Sequence, residues 1–322
     1  MVKVLKQHDL DTVEMRTAYV NALIEAAKAD PRIVSLNCDL SSSCGTVPFA
    51  KEFPNRSFNL GIQEANTCGV AAGMSAAGLV PFFHSFAIFS SRRIYDQVFL
   101  SCAYAKQNVK IIGCDAGVSA TYNGGTHMAF EDAGIMRVIP NITVLEPSDA
   151  VMMKSLVGKM AETYGVFYMR TPRKQVERIY EEGSDFEVGK AVVLREGKDV
   201  TIIASGMTVI EALRAADILA GQGIQARVVD MFTIKPIDVE CIKDCAAKTG
   251  AIVTAENHNI IGGLGSAVAE TLSATIPVPL ERVGVDEAWG EVGQQSYLKE
   301  RFSLTGEAIS EKAKKVLARK NA

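Results

Sequence analysis

The chain has 322 residues, of which 48% are apolar and 22% charged, a composition typical of a folded globular protein of about two domains. Its net charge is -3 and it has no lysine or arginine cluster, which argues against nucleic-acid and anionic-membrane binding. No apolar run approaches the length of a membrane span, and the first residues lack the apolar stretch of a secretion signal. We therefore expect a cytoplasmic protein.

The seven cysteines are scattered through apolar segments, and none forms the Cys-x-x-Cys pair of a zinc site. An odd number with irregular spacing also argues against a disulfide framework. Cys241 and Cys245 are four residues apart on a predicted helix, where two small residues on a buried face are expected. We predict reduced thiols packed in the core.

Helical periodicity and β-branched runs alternate along the chain, which predicts helices layered on mainly parallel sheets. In the first half we expect helices over 13–29, 65–77, 92–105 and 147–163, and strands over 33–38, 57–59, 80–84, 109–114, 142–145 and 166–169. The helix near 147 has a strong start signal in Pro147, Ser148 and Asp149.

The segment 178–189 is acidic and poor in large aliphatic residues, which is typical of a linker. It divides the chain into predicted domains 1–180 and 181–322. In the second we expect strands over 200–204, 225–230 and 251–255, and helices over 207–220, 238–248, 265–273 and 309–320. The predicted fold class is α/β, with two consecutive three-layer domains built on mainly parallel sheets.

Glu64 stands at the start of a predicted helix whose other residues are mostly small: Ala, Gly, Ser, Cys, Val and Met. Such a helix must be packed closely on all sides, so its first residue is expected to be buried. A buried carboxylate costs several kcal/mol unless it is paired or protonated. A fold that retains one has a use for it, and Glu64 is the first catalytic candidate.

His127 ends a polar loop with two glycines, Gly124 and Gly125, that follows the buried strand over 109–114. Open α/β sheets bind their ligands beyond the carboxyl ends of their strands. Glycines allow close backbone approach, and the neighbouring polar residues can form hydrogen bonds. We therefore favour a site role for His127 over an ordinary surface position.

Four phenylalanines, Phe82, Phe83, Phe86 and Phe89, cluster around His84. Such clusters usually belong to the core, but an apolar wall beside Glu64 would also suit a flat heteroaromatic ring. For His84 itself, a hydrogen-bonded core position is at least as well supported as catalysis.

The glycines of 262–265 lack the spacing of a dinucleotide fingerprint, and we interpret them as a packed turn into a helix. The chain also lacks the glycine-rich phosphate loop of many kinases and the Gly-x-Ser-x-Gly turn of many hydrolases. These absences argue against ordinary kinase and hydrolase functions.

An ordered set of motifs resembles the transketolase family over nearly the whole chain. The set comprises Asp39-Leu40 with Ser43, Gly61-Ile62-Gln63-Glu64, the phenylalanine segment with Tyr95-Asp96-Gln97, Gly124-Gly125-Thr126-His127, Ile139-Pro140-Asn141, Glu146-Pro147-Ser148-Asp149, Phe232-Thr233-Ile234-Lys235-Pro236 and Gly262-Gly263-Leu264-Gly265. Each motif is weak alone, but the ordered set is specific.

The resemblance covers the pyrimidine-binding and C-terminal domains of a transketolase, but not the domain that holds the diphosphate and Mg²⁺. It therefore implies the C-terminal subunit of a split enzyme, which shares thiamin diphosphate with an N-terminal partner subunit that holds Mg²⁺. By resemblance the assembly is a dimer of heterodimers, and the isolated chain could be a homodimer. The implied reaction transfers a two-carbon ketol unit between sugar phosphates.

The resemblance also assigns roles to individual residues. Glu64 and His127 are the implied catalytic residues. The implied cofactor contacts are Asp39, Leu40, Ile62, Glu64, Phe86, Phe89 and Arg92, and the implied substrate contacts are Arg16, Ser43, Asn123, His127 and Arg170. The neighbouring Arg92 and Arg93 are ambiguous, because the segment before Tyr95 has one extra residue relative to some members.

Two positions depart from the usual family pattern, and both fall in the implied substrate site. Asn123 stands where an aspartate usually contacts a sugar hydroxyl, and Asp115 replaces a histidine that often assists phosphate binding. A carboxylate repels a phosphate, so the substrate need not be an ordinary pentose phosphate.

Three alternatives share the expected fold. Two are enzymes: a 1-deoxyxylulose 5-phosphate synthase-like reaction and the β subunit of a 2-oxo acid dehydrogenase. The third is a regulatory paralogue without activity, against which the joint presence of Glu64, His127, Arg16 and Arg170 argues.

Overall fold

The computed structural model describes residues 2–320 and contains two α/β units, each built on a mainly parallel sheet. This architecture confirms the predicted fold class. Within the described residues, no helix combines the length and the hydropathy that crossing a bilayer requires.

Six parallel strands from the first half of the chain, with mostly buried side chains, form most of the first sheet, and helices pack on both of its faces. The strands are β1 (Ile33–Asn37), β2 (Ser57–Asn59), β3 (Val80–Phe86), β4 (Lys110–Cys114), β5 (Thr143–Leu145) and β6 (Phe167–Thr171), in the order β5-β6-β4-β3-β1-β2. The helices are α1 (Met15–Ala29), α2 (Val47–Glu52), α3 (Glu64–Ala76), α4 (Tyr95–Gln97), α5 (Asp132–Val138) and α6 (Ala150–Glu162).

The second sheet has the order β12-β11-β8-β9-β7, with only the edge strand β7 antiparallel. The strands of the second half are β7 (Val192–Arg195), β8 (Val200–Ala204), β9 (Ala226–Asp230), β10 (Thr233–Lys235), β11 (Ile252–Asn259) and β12 (Leu280–Val285). The helices are α7 (Thr208–Ala220), α8 (Val239–Thr249), α9 (Leu264–Ala274), α10 (Gln295–Arg301) and α11 (Gly306–Lys320).

Strand β10 comes from the second half of the chain but pairs antiparallel with β5, as the seventh strand of the first sheet. Thr233 lies opposite Leu145 in this pairing. The two halves therefore share backbone hydrogen bonds as well as side-chain contacts. The boundary between residues 180 and 181 stays a prediction.

An aspartate caps each of two predicted helices: the helix expected from residue 147 begins at Ala150, and the one expected from residue 238 begins at Val239. The Asp149 side chain accepts the N–H of Met152 at 2.8 Å, and that of Asp238 accepts the N–H of Cys241 at 3.0 Å. These bonds satisfy backbone groups that the first turn of a helix leaves unpaired.

The prediction of one regular helix over 92–105 was wrong in detail. That segment begins as a 3₁₀ turn (Arg92–Ile94), continues as α4, and ends as a π-helical stretch (Val98–Tyr104). The loop after β4 likewise contains 3₁₀ turns over Gly117–Asn123. Short elements such as these have too few residues to produce a clear periodicity.

The parallel arrangement brings several candidate residues to one edge of the first sheet. Asp39 follows β1, Phe89 follows β3, Asp115 follows β4 and Arg173 follows β6. Glu64 begins α3, which leaves the carboxyl end of β2. This edge is where open α/β sheets bind their ligands.

Candidate active site

Glu64 is buried, as the sequence predicted, with only 2% of its surface exposed. The expectation that its helix is packed on all sides was wrong, because Ala65, Gly69 and Gly73 are exposed on one face of α3. Ser85 Oγ donates to Glu64 Oε1 at 3.2 Å, and Arg93 Nη1 donates to Glu64 Oε2 at 2.8 Å. The carboxylate also lies in the first turn of α3, where the helix dipole favours negative charge. Its burial is therefore compensated by one cation, one hydroxyl and a helix terminus.

Arg93, rather than Arg92, lies against Glu64. The Arg93 guanidinium also covers the Phe89 ring, with its central carbon 3.7 Å from the ring centroid. Arg92 points elsewhere and pairs with Glu131 at 2.9 Å, with 60% of its side chain exposed. In this geometry Arg93 contacts Glu64 and Arg92 does not, and the cofactor role of Arg92 stays a prediction.

Phe86, Phe89 and His127 form an aromatic wall beside this pair. The His127 ring lies 5.7 Å from that of Phe86 and 5.2 Å from that of Phe89, both in edge-to-face orientation. Thr126 Oγ1 lies 2.9 Å from His127 Nδ1, which leaves Nε2 for another partner. The structure thus brings together three residues that the sequence placed on two separate segments.

The loop that carries Asn123 and His127 is held by the second half of the chain. A Cβ atom on Gly125 would collide with the carbonyl group of Gly290, and one on Gly124 would crowd Val292. The close backbone approach predicted for these glycines is therefore real, and its partner is the segment after β12.

Asp39, Leu40 and Ile62 lie at the rim of the same edge. Asp39 is exposed and adopts a left-handed backbone conformation with φ 60°, and its N–H donates to Asn59 Oδ1 at 2.9 Å. Leu40 is half-buried, and Ile62 is an apolar side chain with 71% of its surface exposed.

Arg16 lies beside Ser43, since Arg16 Nη1 is 3.4 Å from the Ser43 carbonyl oxygen. Its neighbour in space is Arg173, whose carbonyl accepts the Arg16 N–H at 3.2 Å. The guanidinium of Arg173 lies 5.5 Å from the Phe86 ring. Sequence reasoning missed Arg173, although its position just beyond a buried strand was a usable signal.

Arg170 does not join these residues, and its predicted role as a substrate contact is not supported. It is fully buried within β6, where it donates to Asp132 Oδ2 and to Glu146 Oε1, both at 2.8 Å. It also donates to the carbonyl of Asn257 in the second half of the chain. A guanidinium enclosed in this way stabilises the contact between the two halves.

His84 is a structural histidine. It is fully buried, its Nδ1 lies 3.0 Å from the Leu36 carbonyl oxygen, and its Nε2 lies 2.6 Å from the Tyr19 hydroxyl. Burial lowers the pKa of His84 to about 4. The ring is therefore neutral near pH 7, with both nitrogens occupied.

The glycine turn before α9 packs as predicted. Glu256 accepts the N–H groups of Leu264 and Gly265 at 2.7 and 2.8 Å, so the helix N-terminus is already capped from within the chain. A side chain on Gly263 would collide with that carboxylate.

Comparison with known proteins agrees with this geometry. The family profile described as "Transketolase, pyrimidine binding domain" matches residues 11–178, and "Transketolase, C-terminal domain" matches residues 189–309. The chain is 50% identical to the 6-deoxy-6-sulfo-D-fructose transketolase subunit SqwH of a Clostridium species, over 95% of both chains. It is 36% identical to rat transketolase over 94% of its own length and 49% of that protein.

A solved structure described as a split gene transketolase, inactive beta4 tetramer, superposes with a TM-score of 0.90. It is 45% identical and covers 96% of this chain and 99% of that one. These relatives favour the transketolase interpretation over the synthase-like, dehydrogenase and regulatory alternatives. The chain belongs to the transketolase family.

Proposed function

We propose that this chain is the C-terminal subunit of a split transketolase, which transfers a two-carbon ketol unit from a ketose to an aldose. The observation that carries the proposal is Glu64, a buried carboxylate at the sheet edge beside an aromatic wall. Full-length relatives described as a transketolase subunit and as a split gene transketolase match the chain over 95% and 99% of their own lengths, which supports a requirement for an N-terminal partner subunit. We infer that this partner holds the diphosphate and Mg²⁺, within a dimer of heterodimers. The predicted cytoplasmic location stays a prediction.

The residues around Glu64 fit the aminopyrimidine ring of thiamin diphosphate. The Arg93 guanidinium is flat, donates to Glu64 at 2.8 Å and stacks on Phe89 at 3.7 Å. An aminopyrimidine needs the same two contacts, a carboxylate partner for a ring nitrogen and an aromatic surface for its face. We infer that the Arg93 guanidinium occupies the place of the aminopyrimidine ring, because both are flat and both can donate to Glu64.

When bound, thiamin diphosphate supplies a nucleophilic carbon and an electron sink for cleaving the bond next to a ketose carbonyl. Glu64 would hold or give up a proton at Oε2, the oxygen that now faces Arg93. Phe86 and Phe89 would stack on the ring and exclude water. We assign the rim residues Asp39, Leu40 and Ile62 to further contacts with the cofactor.

The remaining residues of the edge suit the substrate. His127 can offer Nε2 to a sugar oxygen, and Asn123 lies on the same loop with an amide that can read a hydroxyl. Arg16, Ser43 and Arg173 lie where an acidic end group could bind. Arg173 takes the place that the sequence had given to Arg170.

The proposal is tested by co-expressing the chain with an N-terminal subunit and assaying ketose cleavage with thiamin diphosphate and Mg²⁺. Glu64→Gln should lower turnover by roughly 10²–10⁴-fold, the usual contribution of a positioned acid or base. The matched control is Glu240→Gln, which removes a carboxylate whose side chain is 74% exposed on α8.

Circular dichroism and thermal denaturation should show that both variants remain folded, because glutamine leaves no buried charge unpaired. Equal turnover in Glu64→Gln and the native complex would end the catalytic assignment. Ketose cleavage by the isolated chain would end the proposal of a split enzyme.

A further inference from the structure

A small cluster of charged residues lies beside the aromatic wall, formed by Arg16, Arg173 and Lys174 with Glu14 and Asp115. We name it the end-group cluster. Glu14 pairs with Arg16 Nε at 2.6 Å and with Lys174 Nζ at 2.9 Å, while Asp115 forms an ion pair with Arg173. Each of the three cations therefore has an acidic partner.

The position of the cluster suits the far end of a substrate. Arg173 lies next to Phe86, and Phe86 packs against His127, the proposed contact of the sugar oxygens. Arg16 reaches the carbonyl of Ser43. A substrate that passes His127 can thus place its last group between the arginines.

Asp115 is held firmly in this cluster. It is 2% exposed, and its Oδ1 accepts the backbone N–H of Arg173 at 3.1 Å in addition to the ion pair. Its backbone has φ 57°, a left-handed conformation that is uncommon for residues other than glycine. The fold therefore keeps a carboxylate on Arg173 despite a strained backbone.

The charges of the cluster define what it can bind. Three cations and two carboxylates leave one net positive charge, which matches an anion of one negative charge. A sulfonate carries one charge, whereas a phosphate ester carries nearly two near neutral pH because its second pKa is about 6. A second charge on the ligand would find no uncompensated cation, because Glu14 and Asp115 already neutralise two of the three cations.

We propose that Asp115 is a specificity-determining residue that makes this transketolase favour ketoses ending in a singly charged acid, such as a sulfonate, over phosphate esters. The inference rests on the proposed function and names its substrate class. Burial raises the pKa of Asp115 to about 6, opposed by Arg173, Arg16 and Lys174, so the carboxylate is ionised above that pH. The relative at 50% identity is described as acting on 6-deoxy-6-sulfo-D-fructose.

The test compares two donors that share a carbon skeleton and differ in the end group, 6-deoxy-6-sulfo-D-fructose and D-fructose 6-phosphate. The complex with the N-terminal subunit is assayed at pH 7.5 for kcat/KM with each donor. The native complex should favour the sulfonate. Asp115→Asn should shift the ratio about tenfold toward the phosphate, as expected for one charge at a partly buried site.

The matched control is Asp185→Asn, because the Asp185 side chain is 63% exposed and pairs with Lys159 away from the cluster. It should leave the ratio unchanged. If Asp115→Asn does not fold, Lys174→Met tests the same charge balance. This variant should fold, because the Lys174 side chain is 68% exposed. Loss of that cation should lower kcat/KM for the phosphate more than for the sulfonate.

A complex that cleaves both donors with a ratio unaffected by Asp115→Asn, or by Lys174→Met in its place, overturns the inference alone. So does a native preference for the phosphate. A complex that cleaves neither donor overturns the proposed function and the inference together.

Discussion

The Glu64 and Arg170 regions each pair an arginine with a buried carboxylate, but only in the Arg170 region is the arginine buried as well. Arg170 is enclosed on all sides and bonded to two carboxylates and a carbonyl from the other half of the chain. Glu64 is equally buried, but its cation, Arg93, is 43% exposed and reaches in from outside. The first pair is enclosed by the fold, whereas we propose that the second exchanges its cation for a ligand.

The largest expected effect follows from breaking the enclosed pair. Arg170→Met should lower the free energy of unfolding by about 3–5 kcal/mol, because Asp132 and Glu146 would remain buried without their cation. Urea denaturation of the isolated chain measures the change. Arg195→Met, at a surface pair with Asp217, is the control and should cost no more than about 1 kcal/mol. A similar loss of unfolding free energy in both variants would contradict the distinction between the enclosed pair and a surface pair.

His84 is a second enclosed group, and its effect on stability can be tested by changing the pH. Its folded pKa, about 4, lies below the ordinary value of 6.5, so the unfolded chain binds more protons between these values. The histidine's stabilising effect is therefore full above pH 6.5 and is lost as pH falls toward 4. Between pH 7 and pH 5 the native chain should lose about 2 kcal/mol relative to His84→Gln.

The unfolding free energy of the native chain must be compared with that of His84→Gln at each pH, because other buried groups change stability with pH in the opposite direction. Burial raises the pKa of both Asp230 and Glu256 to about 7, and these carboxyl groups favour the folded state as pH falls. Parallel curves of unfolding free energy against pH for the native chain and His84→Gln would exclude a neutral buried ring.

The smallest expected effect concerns the pair of Glu64 and Arg93. Arg93→Met should tighten binding of thiamin diphosphate to the assembled complex by about fivefold, because the ligand no longer displaces a cation from Glu64. Calorimetric titration with Mg²⁺ present measures it. Arg92→Met is the control, since Arg92 pairs with Glu131. A lower affinity of Arg93→Met for thiamin diphosphate would mean that Arg93 contacts the bound cofactor instead of being displaced by it.

The sequence predicted the parts of the site that depend on local composition and strand order. Glu64 was predicted to be buried because it begins a helix of small residues, and it is buried although one face of that helix is exposed. His127 and Phe86 could be placed together because parallel strands end at one edge of the sheet. Asp149 could be recognised as a cap because its side chain acts on the residues that directly follow it.

The direction of individual arginines could not be predicted. Arg92 and Arg93 differ by about a third of a turn, and the segment they begin changes from 3₁₀ to α to π-helical geometry. Arg170, the next-to-last residue of β6, contacts the second half of the chain. Arg173, two residues beyond the strand, lies near Phe86 at the edge of the sheet. Tertiary contacts determine which arginine is buried in the fold and which lies at the ligand-binding edge. The local sequence pattern does not contain these contacts.

The pairing of β10 with β5 limits how the chain can be divided in the laboratory. A fragment ending near residue 180 would lack β10 and expose the hydrogen-bonding edge of β5, and exposed strand edges promote aggregation. Any shortened version of the protein should therefore keep residues 143–145 and 233–235 together. Completion of the first sheet also requires the second half of the chain, because β10 lies about 90 residues beyond β5.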